Sequence, residues 1–276
     1  VSFPKGASVA GVLTKNDVCG APIDWCRKIL PKGYARALLV NSGNANVHTG
    51  HLGLKAVNDT TKFIGRHASC RPENVFVAST GVIGEVLPID SILSALPELC
   101  SKKYNSPWVD AARAIMTTDT YPKAAWCRTK IGKTTVTINA IAKGSGMIAP
   151  NMATMLGFIF TDANLPSSIL RGLIRPIVNN SFNSITVDGD TSTSDTCLIF
   201  ATRQAKHPAV KNLKSSEILL FRDALNKICM NLAMQIVRDG EGVTKVASIR
   251  ISGARSNQSG KRIAKSVAES PLVKTA

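Results

Sequence analysis

Short apolar segments of strand-like composition alternate along this chain with longer segments whose apolar residues recur every three to four positions. That alternation is the tightest constraint on the fold, because strands and helices in turn must bury their apolar faces against one another in layers. Residues 34–40 read as a strand running into Asn-Ser-Gly-Asn-Ala-Asn at 41–46, residue types that favour turns and left-handed backbone. Leu54, Val57, Thr61 and Ile64 define a helix face, and 74–79 is a second buried strand leading to Thr-Gly-Val-Ile-Gly at 80–84. Ser106-Pro107 signals the cap and first turn of a helix through Ala111 to Met116. Val136, Ile138 and Ala140 alternate with polar residues as in a half-buried strand, a Gly-Ser-Gly turn follows at 144–146, and 155–160 is a further strand. Ile169, Leu170, Leu173, Ile174, Ile177 and Val178 share a helix face, with Pro176 expected to kink it. The longest helix is predicted over 216–238, closed by Gly240, and 247–251 alternates as a last strand.

Composition narrows the function classes. With 44% of 276 residues apolar and 19% charged, the chain can bury a substantial core. No apolar run approaches the roughly 18 residues of a membrane span, so no membrane partner is expected. The net charge of +16 is spread evenly, 18 basic residues lying in 1–153 and 16 in 154–276, and aromatics make up only 5%. A diffuse basic surface with few stacking rings argues against nucleic acid as the partner. Seven cysteines at 19, 26, 70, 100, 127, 197 and 229 show no C-x-x-C spacing, and the four histidines are scattered. Neither a disulfide framework nor a metal site is expected, which points to a reducing, cytoplasmic compartment.

Two familiar motifs fail on inspection. Gly132-Lys133-Thr134 resembles the end of a phosphate-binding loop, but Cys127 stands where its first glycine belongs. Asp188-Gly189-Asp190 resembles a calcium loop, yet Thr193 and Ile199 occupy the positions of the obligatory Gly and Glu. The acidic and hydroxyl residues of 188–195 are expected to order a loop by side-chain to backbone hydrogen bonds.

The stretch Lys-Gly-Ser-Gly-Met-Ile-Ala-Pro-Asn-Met-Ala-Thr-Met-Leu-Gly at 143–157 carries the chemistry. It sets Thr154 between a Gly/Pro-rich turn and a buried strand. If the Ala153–Thr154 bond breaks, Thr154 gains an α-amine with a pKa of about 7.7–8.0, suited to act as general base for its own hydroxyl.

Together with 41–46, 79–84, 116–120 (Met-Thr-Thr-Asp-Thr), 241–245 (Glu-Gly-Val-Thr-Lys) and 270–275, that stretch resembles the ornithine acetyltransferase family of arginine biosynthesis, bifunctional glutamate N-acetyltransferases. The resemblance runs in order along nearly the whole chain. It implies a layered α/β sandwich of αββα type, with sheets packed face to face between helices. It also implies a precursor that cleaves itself between Ala153 and Thr154 into an alpha part, 1–153, and a beta part, 154–276. Thr154 would then take an acetyl group from N-acetylornithine and pass it to glutamate, with ping-pong kinetics.

By the same resemblance Thr80 and Gly81 form the oxyanion hole, and Thr117, Lys143, Thr154 and Glu241 bind substrate. Charge complementarity pairs Lys143 with the substrate carboxylate and Glu241 with the ornithine ammonium. No cofactor is implied, although acetyl-CoA serves some members as donor. The mature enzymes pair two alpha with two beta chains, so a heterotetramer is expected. Family members extend beyond both ends, and this chain opens at Val1 rather than Met, so it reads as an internal portion of a longer precursor. Two other readings compete: a self-cleaving amidase or aminopeptidase with water as acceptor, and a non-catalytic basic binding protein.

Overall fold

The computed structural model describes residues 1–101, 106–149, 155–208 and 210–275. In chain order the strands and helices are β1 (Ser2–Leu13), α1 (Ala21–Ile29), β2 (Tyr34–Asn44), α2 (Gly50–His67), β3 (Val75–Val82), α3 (Ile89–Leu99), α4 (Trp108–Ala114), β4 (Lys123–Ile131), β5 (Thr134–Lys143), β6 (Leu156–Thr161), α5 (Ser167–Asn180), β7 (Thr196–Ala201), α6 (Ser216–Arg238), α7 (Asn257–Ala268) and α8 (Pro271–Thr275). The strands form one seven-stranded sheet in the order β3-β2-β1-β7-β6-β5-β4. Among the described residues only β2 with β3 and β6 with β7 run parallel.

Each central strand buries both of its faces. On β7, Leu198 and Phe200 point into one core while Cys197, Ile199 and Ala201 point into another. The first core is rich in phenylalanine. Phe76 on β3 meets Phe200 on β7 edge to face at 6.0 Å, and Phe3, Phe160 and Phe200 stack within 4.9–6.3 Å. Three strand steps in a flat sheet would separate β3 from β7 by about 14 Å, too far for rings standing normal to it to touch. The sheet therefore curls until its phenylalanine face closes on itself.

Helices cover the outside. Leu170, Ile174, Leu225 and Leu232 of α5 and α6 pack on Ile138, Ala140, Ile159 and Ile199. Over β2 and β3, Val57, Ile64 and Leu96 of α2 and α3 cover Ala37, Val75 and Val77. The layers are helix, sheet, sheet, helix, as expected of an α/β sandwich, both sheet layers belonging to one curled sheet. Helix α4 closes the interior, with Ala112 and Ile115 buried and Trp108 against Phe160 at 4.5 Å.

Two local expectations are corrected, the strand at 247–251 and the start and end of α4. Residues 247–251 form no strand: the segment is irregular and largely exposed and pairs with neither edge of the sheet, and alternation without a paired neighbour makes no ladder. Pro107 is the N-cap of α4 rather than part of its first turn, and the helix stops at Ala114. Gly132 and Lys133 make the tight turn of the β4–β5 hairpin, where Ile131 pairs with Thr134 and Gly132 sits at φ 57°. Helix α5 continues through Pro176. Among the described residues no helix is long and apolar enough to cross a membrane.

Ala153 and Thr154 lie outside the described residues. The strands on either side of them share the sheet: β6 and β7 stand between β5 and β1, hydrogen-bonded to both.

Candidate functional site

The curl of the sheet brings the far ends of β3 and β5 together. Lys143, the last residue of β5, is 2% exposed and Thr80, on β3, is 2% exposed. Lys143 Nζ donates to Thr117 Oγ1 at 2.7 Å and to Thr80 Oγ1 at 3.4 Å. Thr117 belongs to the turn after α4, so three separate stretches of chain meet at one ammonium.

Beside Thr80 the backbone is pinched. Gly81 sits at φ 129°, and a Cβ there would lie 2.2 Å from the Gly43 carbonyl carbon, with which Gly81 is paired across β2 and β3. Only glycine fits this close approach. Thr80 is buried and Gly81 exposed, so the strand leaves the core at this step.

Glu241 lies on the loop after α6, and its amide donates to Ser145 O at 3.2 Å. Its carboxylate rests against Gly146, where an added Cβ would stand 2.6 Å from Glu241 Cδ. Thr80, Gly81, Thr117, Lys143 and Glu241 are thus gathered around the turn 143–146, which leads toward position 154 in sequence. Among the expected site residues Ala153 and Thr154 alone fall outside the described residues.

Sequence reasoning did not single out the support behind this cluster. Lys123, fully buried, is paired with Asp119 Oδ1 at 2.6 Å and Asp239 Oδ2 at 2.5 Å. Asp119 also accepts from the Gly144 amide at 2.7 Å and the Thr117 amide at 3.1 Å, and its Oδ2 lies 3.7 Å from Lys143 Nζ. One carboxylate therefore holds the residue after Lys143, the residue that Lys143 bonds, and a share of Lys143's counter-charge. Asp239 accepts from the Thr120 amide at 2.9 Å and from the Thr120 hydroxyl, while its carbonyl accepts from Ser145 Oγ at 2.6 Å. The Asp within Met-Thr-Thr-Asp-Thr and the Asp before Gly240 were the available signals, but burial is not written in either.

Electrostatics follow from this packing. Burial pushes the Lys143 ammonium below its ordinary value, and the Asp119 carboxylate opposes that shift. Burial would raise Asp119 and Asp239, but hydrogen bonds from Lys123 and the neighbouring amides carry both below the usual carboxylate range. The two carboxylates surround a lysine, which occupies the place of a cation; among the described residues no three His, Cys, Asp or Glu side chains could hold a metal ion.

The loop once compared with a calcium site orders its surroundings through hydrogen bonds, as expected. Asp188 accepts from the Met147 and Ile148 amides, and Asp195 Oδ1 accepts from the Met155 amide at 2.9 Å. All seven cysteines are free thiols.

The ArgJ family model matches residues 1–276. "Arginine biosynthesis bifunctional protein ArgJ" of Gluconobacter oxydans is 53% identical over 274 residues, covering 99% of this chain and 65% of the relative. The protein of that name in Mesorhizobium japonicum is 50% identical over 277 residues, covering 99% and 67%. The chain thus spans about two thirds of the length of the curated relatives it matches. Among solved structures, the PH0078 protein of Pyrococcus horikoshii is similar in fold, with a TM-score of 0.52 and 12% identity over 87% of this chain and 75% of that one. Matched by the family model along its whole length and half identical to curated members, the chain belongs to the ArgJ family.

Proposed function

We propose that this chain carries the acyl-transfer centre of a bifunctional ornithine acetyltransferase and glutamate N-acetyltransferase of arginine biosynthesis. The observation that carries the reading is the buried Lys143 ammonium held between Thr80 and Thr117 at the start of the turn leading to Thr154. The family's shared name, a bifunctional protein of arginine biosynthesis, points the same way.

In this reading the Thr154 hydroxyl attacks the Ala153 carbonyl, the Thr154 nitrogen leaves, and water hydrolyses the resulting ester. One product ends in the Ala153 carboxylate and the other begins with the Thr154 amine. Thr154 Oγ then attacks the acetyl carbonyl of N-acetylornithine while the α-amine takes the hydroxyl proton. The Thr80 hydroxyl and the Gly81 N–H receive the developing negative oxygen, and such a donor supplies about 2.7–4 kcal/mol. The proton passes to the departing ornithine nitrogen, leaving an acetyl ester on Thr154, which the glutamate amine attacks in the second half-reaction. Lys143 and Thr117 take the substrate carboxylate and Glu241 the ornithine ammonium. The acetyl group moves between two amines, so no cofactor is required; acetyl-CoA is a second donor to be assayed. The two products, of which 1–153 and 154–276 are parts, remain joined through the shared sheet and pair into a heterotetramer.

Intact mass of the complete gene product tests the first step: two fragments split before Thr154 are expected, and one unbroken chain for Thr154→Ala. Transfer of labelled acetyl from N-acetylornithine to glutamate tests the second. A wild-type protein that stays whole, or that only hydrolyses the donor, rejects the reading.

A further inference from the structure

A lysine ammonium has three N–H donors and no acceptor. Lys143 is 2% exposed, so its hydrogens go to the groups packed around it. Three such groups are present: Thr117 Oγ1 at 2.7 Å, Thr80 Oγ1 at 3.4 Å and Asp119 Oδ2 at 3.7 Å. The surroundings hold the ammonium there. Lys143 pairs with Leu156 on β6, Asp119 holds the Gly144 amide after it, and Lys123 takes the other oxygen of that carboxylate. Thr80 is held as firmly. It pairs with Ser42 across β2 and β3, and Ser79 before it donates to Asn41 Oδ1 at 2.5 Å.

A hydroxyl is one donor and two acceptor lone pairs. Facing an ammonium, Thr80 Oγ1 and Thr117 Oγ1 can only accept, so their own hydrogens turn away from Lys143. The hydrogen bonds that these two hydroxyls make among the described residues are the ones they accept from Lys143. Both hydrogens are therefore left for an acceptor that arrives from outside, and the positive charge behind them strengthens each as a donor. Without the ammonium, the Thr80 hydroxyl would be free to turn its hydrogen inward.

We propose that Lys143 is a positioning residue for the oxyanion hole: it fixes the Thr80 hydroxyl with its hydrogen outward, ready for the negative oxygen of acyl transfer. The proposal rests on the acyl-transfer reading above and goes beyond it, because there Lys143 meets only the substrate carboxylate. One ammonium then stands behind both hydroxyls, Thr117 for the carboxylate and Thr80 for the oxyanion. The arrangement serves catalysis because a donor already aimed needs no reorganisation as the charge develops.

The test separates the two roles of Lys143 with an acetyl donor that has neither carboxylate nor ammonium, p-nitrophenyl acetate, on the complete gene product. Thr154 Oγ attacks the ester carbonyl, p-nitrophenolate leaves, and the α-amine takes the hydroxyl proton; mass follows the acetyl on Thr154. Lys143→Met should slow this step about tenfold, and Thr80→Val about 10²–10³-fold. In the double variant, Lys143→Met should add less than about twofold to Thr80→Val, since its effect passes through the missing hydroxyl. The proposal is overturned if Lys143→Met is acetylated as fast as wild type, which leaves Lys143 a carboxylate ligand alone. It is also overturned if Lys143→Met slows Thr80→Val as much as it slows wild type, which marks a general structural effect. A wild type that takes no acetyl on Thr154 sinks the acyl-transfer reading instead. Neutron diffraction from deuterium-exchanged wild-type crystals reads the hydroxyl with no variant at all. Three deuterons on Lys143 Nζ and a Thr80 deuteron pointing away from it are expected. A Thr80 deuteron directed at Lys143 Nζ overturns the proposal, whether or not any variant folds and cuts.

Discussion

Lys143 Nζ lies 3.4 Å from Thr80 Oγ1, although four strands stand between their own strands in the sheet. A flat sheet would hold β3 and β5 about 24 Å apart. The contact exists because the phenylalanine face of the sheet closes on itself, and burying that face is what assembles the site. Core and site are therefore one construction: Thr80 lies on β3, the strand that sets Phe76 against Phe200, and Lys143 ends β5, whose Ile141 packs in the same core.

Lys143→Met should lower kcat/KM for acetyl transfer by about 10–100-fold, the worth of one lost hydrogen bond to a charged group. Stability should change little or rise, since burial already disfavours the ammonium and Asp119 keeps Lys123. Steady-state kinetics together with a melting curve separate the two effects, and an unchanged kcat/KM would remove Lys143 from the site.

Lys123→Met should destabilise far more. It leaves Asp119 and Asp239 buried without the cation they share, a loss of about 3–5 kcal/mol. Urea denaturation should show the midpoint falling, and activity should fall with it because Asp119 holds Gly144 and Thr117.

Acid should unfold the protein through the same pair. Asp119 and Asp239 titrate below their unfolded values, so the unfolded chain binds more protons at low pH. Their stabilisation is complete above the ordinary carboxylate pKa of about 3.9 and is lost as pH falls through the folded values. Asp195 acts in the opposite sense: its contribution is complete below that pKa and is lost as pH rises toward its raised value. In an uncut Thr154→Ala background, Asp195→Asn should therefore raise Tm at pH 7 more than at pH 4. Melting curves across that range check the sign.

Gly146→Ala should displace the Glu241 carboxylate, because the new methyl would stand 2.6 Å from its Cδ. The neighbour is a flexible side chain, so Tm should move little. The KM for N-acetylornithine should rise about tenfold, as for one charge-assisted contact. An unaltered KM would argue that Glu241 does not touch the substrate.

Legibility followed periodicity. The α5 and α6 faces, the start of β2 and the β5–β6 pair are readable because their apolar residues recur at the spacing of one element. Strand β7, Thr196–Ala201, is buried on both faces, so it shows a continuous apolar run with no alternation. Strand β1 changes register through a bulge between Ser2 and Ala7, which breaks its pattern. Strand β4 is an edge, with Trp126 68% exposed among Arg128 and Lys130, so its composition reads as surface. The alternation at 247–251 misled for the converse reason, since period two is necessary for a strand but a partner edge completes it.

By itself the sequence determined the α/β class, the family, and the residue types of the candidate site, because those depend on local periodicity and on ordered short motifs. The tertiary structure decided what stands beside them. It alone set Asp119 behind Lys143, joined Lys123 to Asp239, and left one oxygen of Asp195 buried beside the residue after Thr154. Burial and charge pairing are properties of distance in space, and here that distance is created by the curl of a sheet that pairs residues from opposite ends of the strand order.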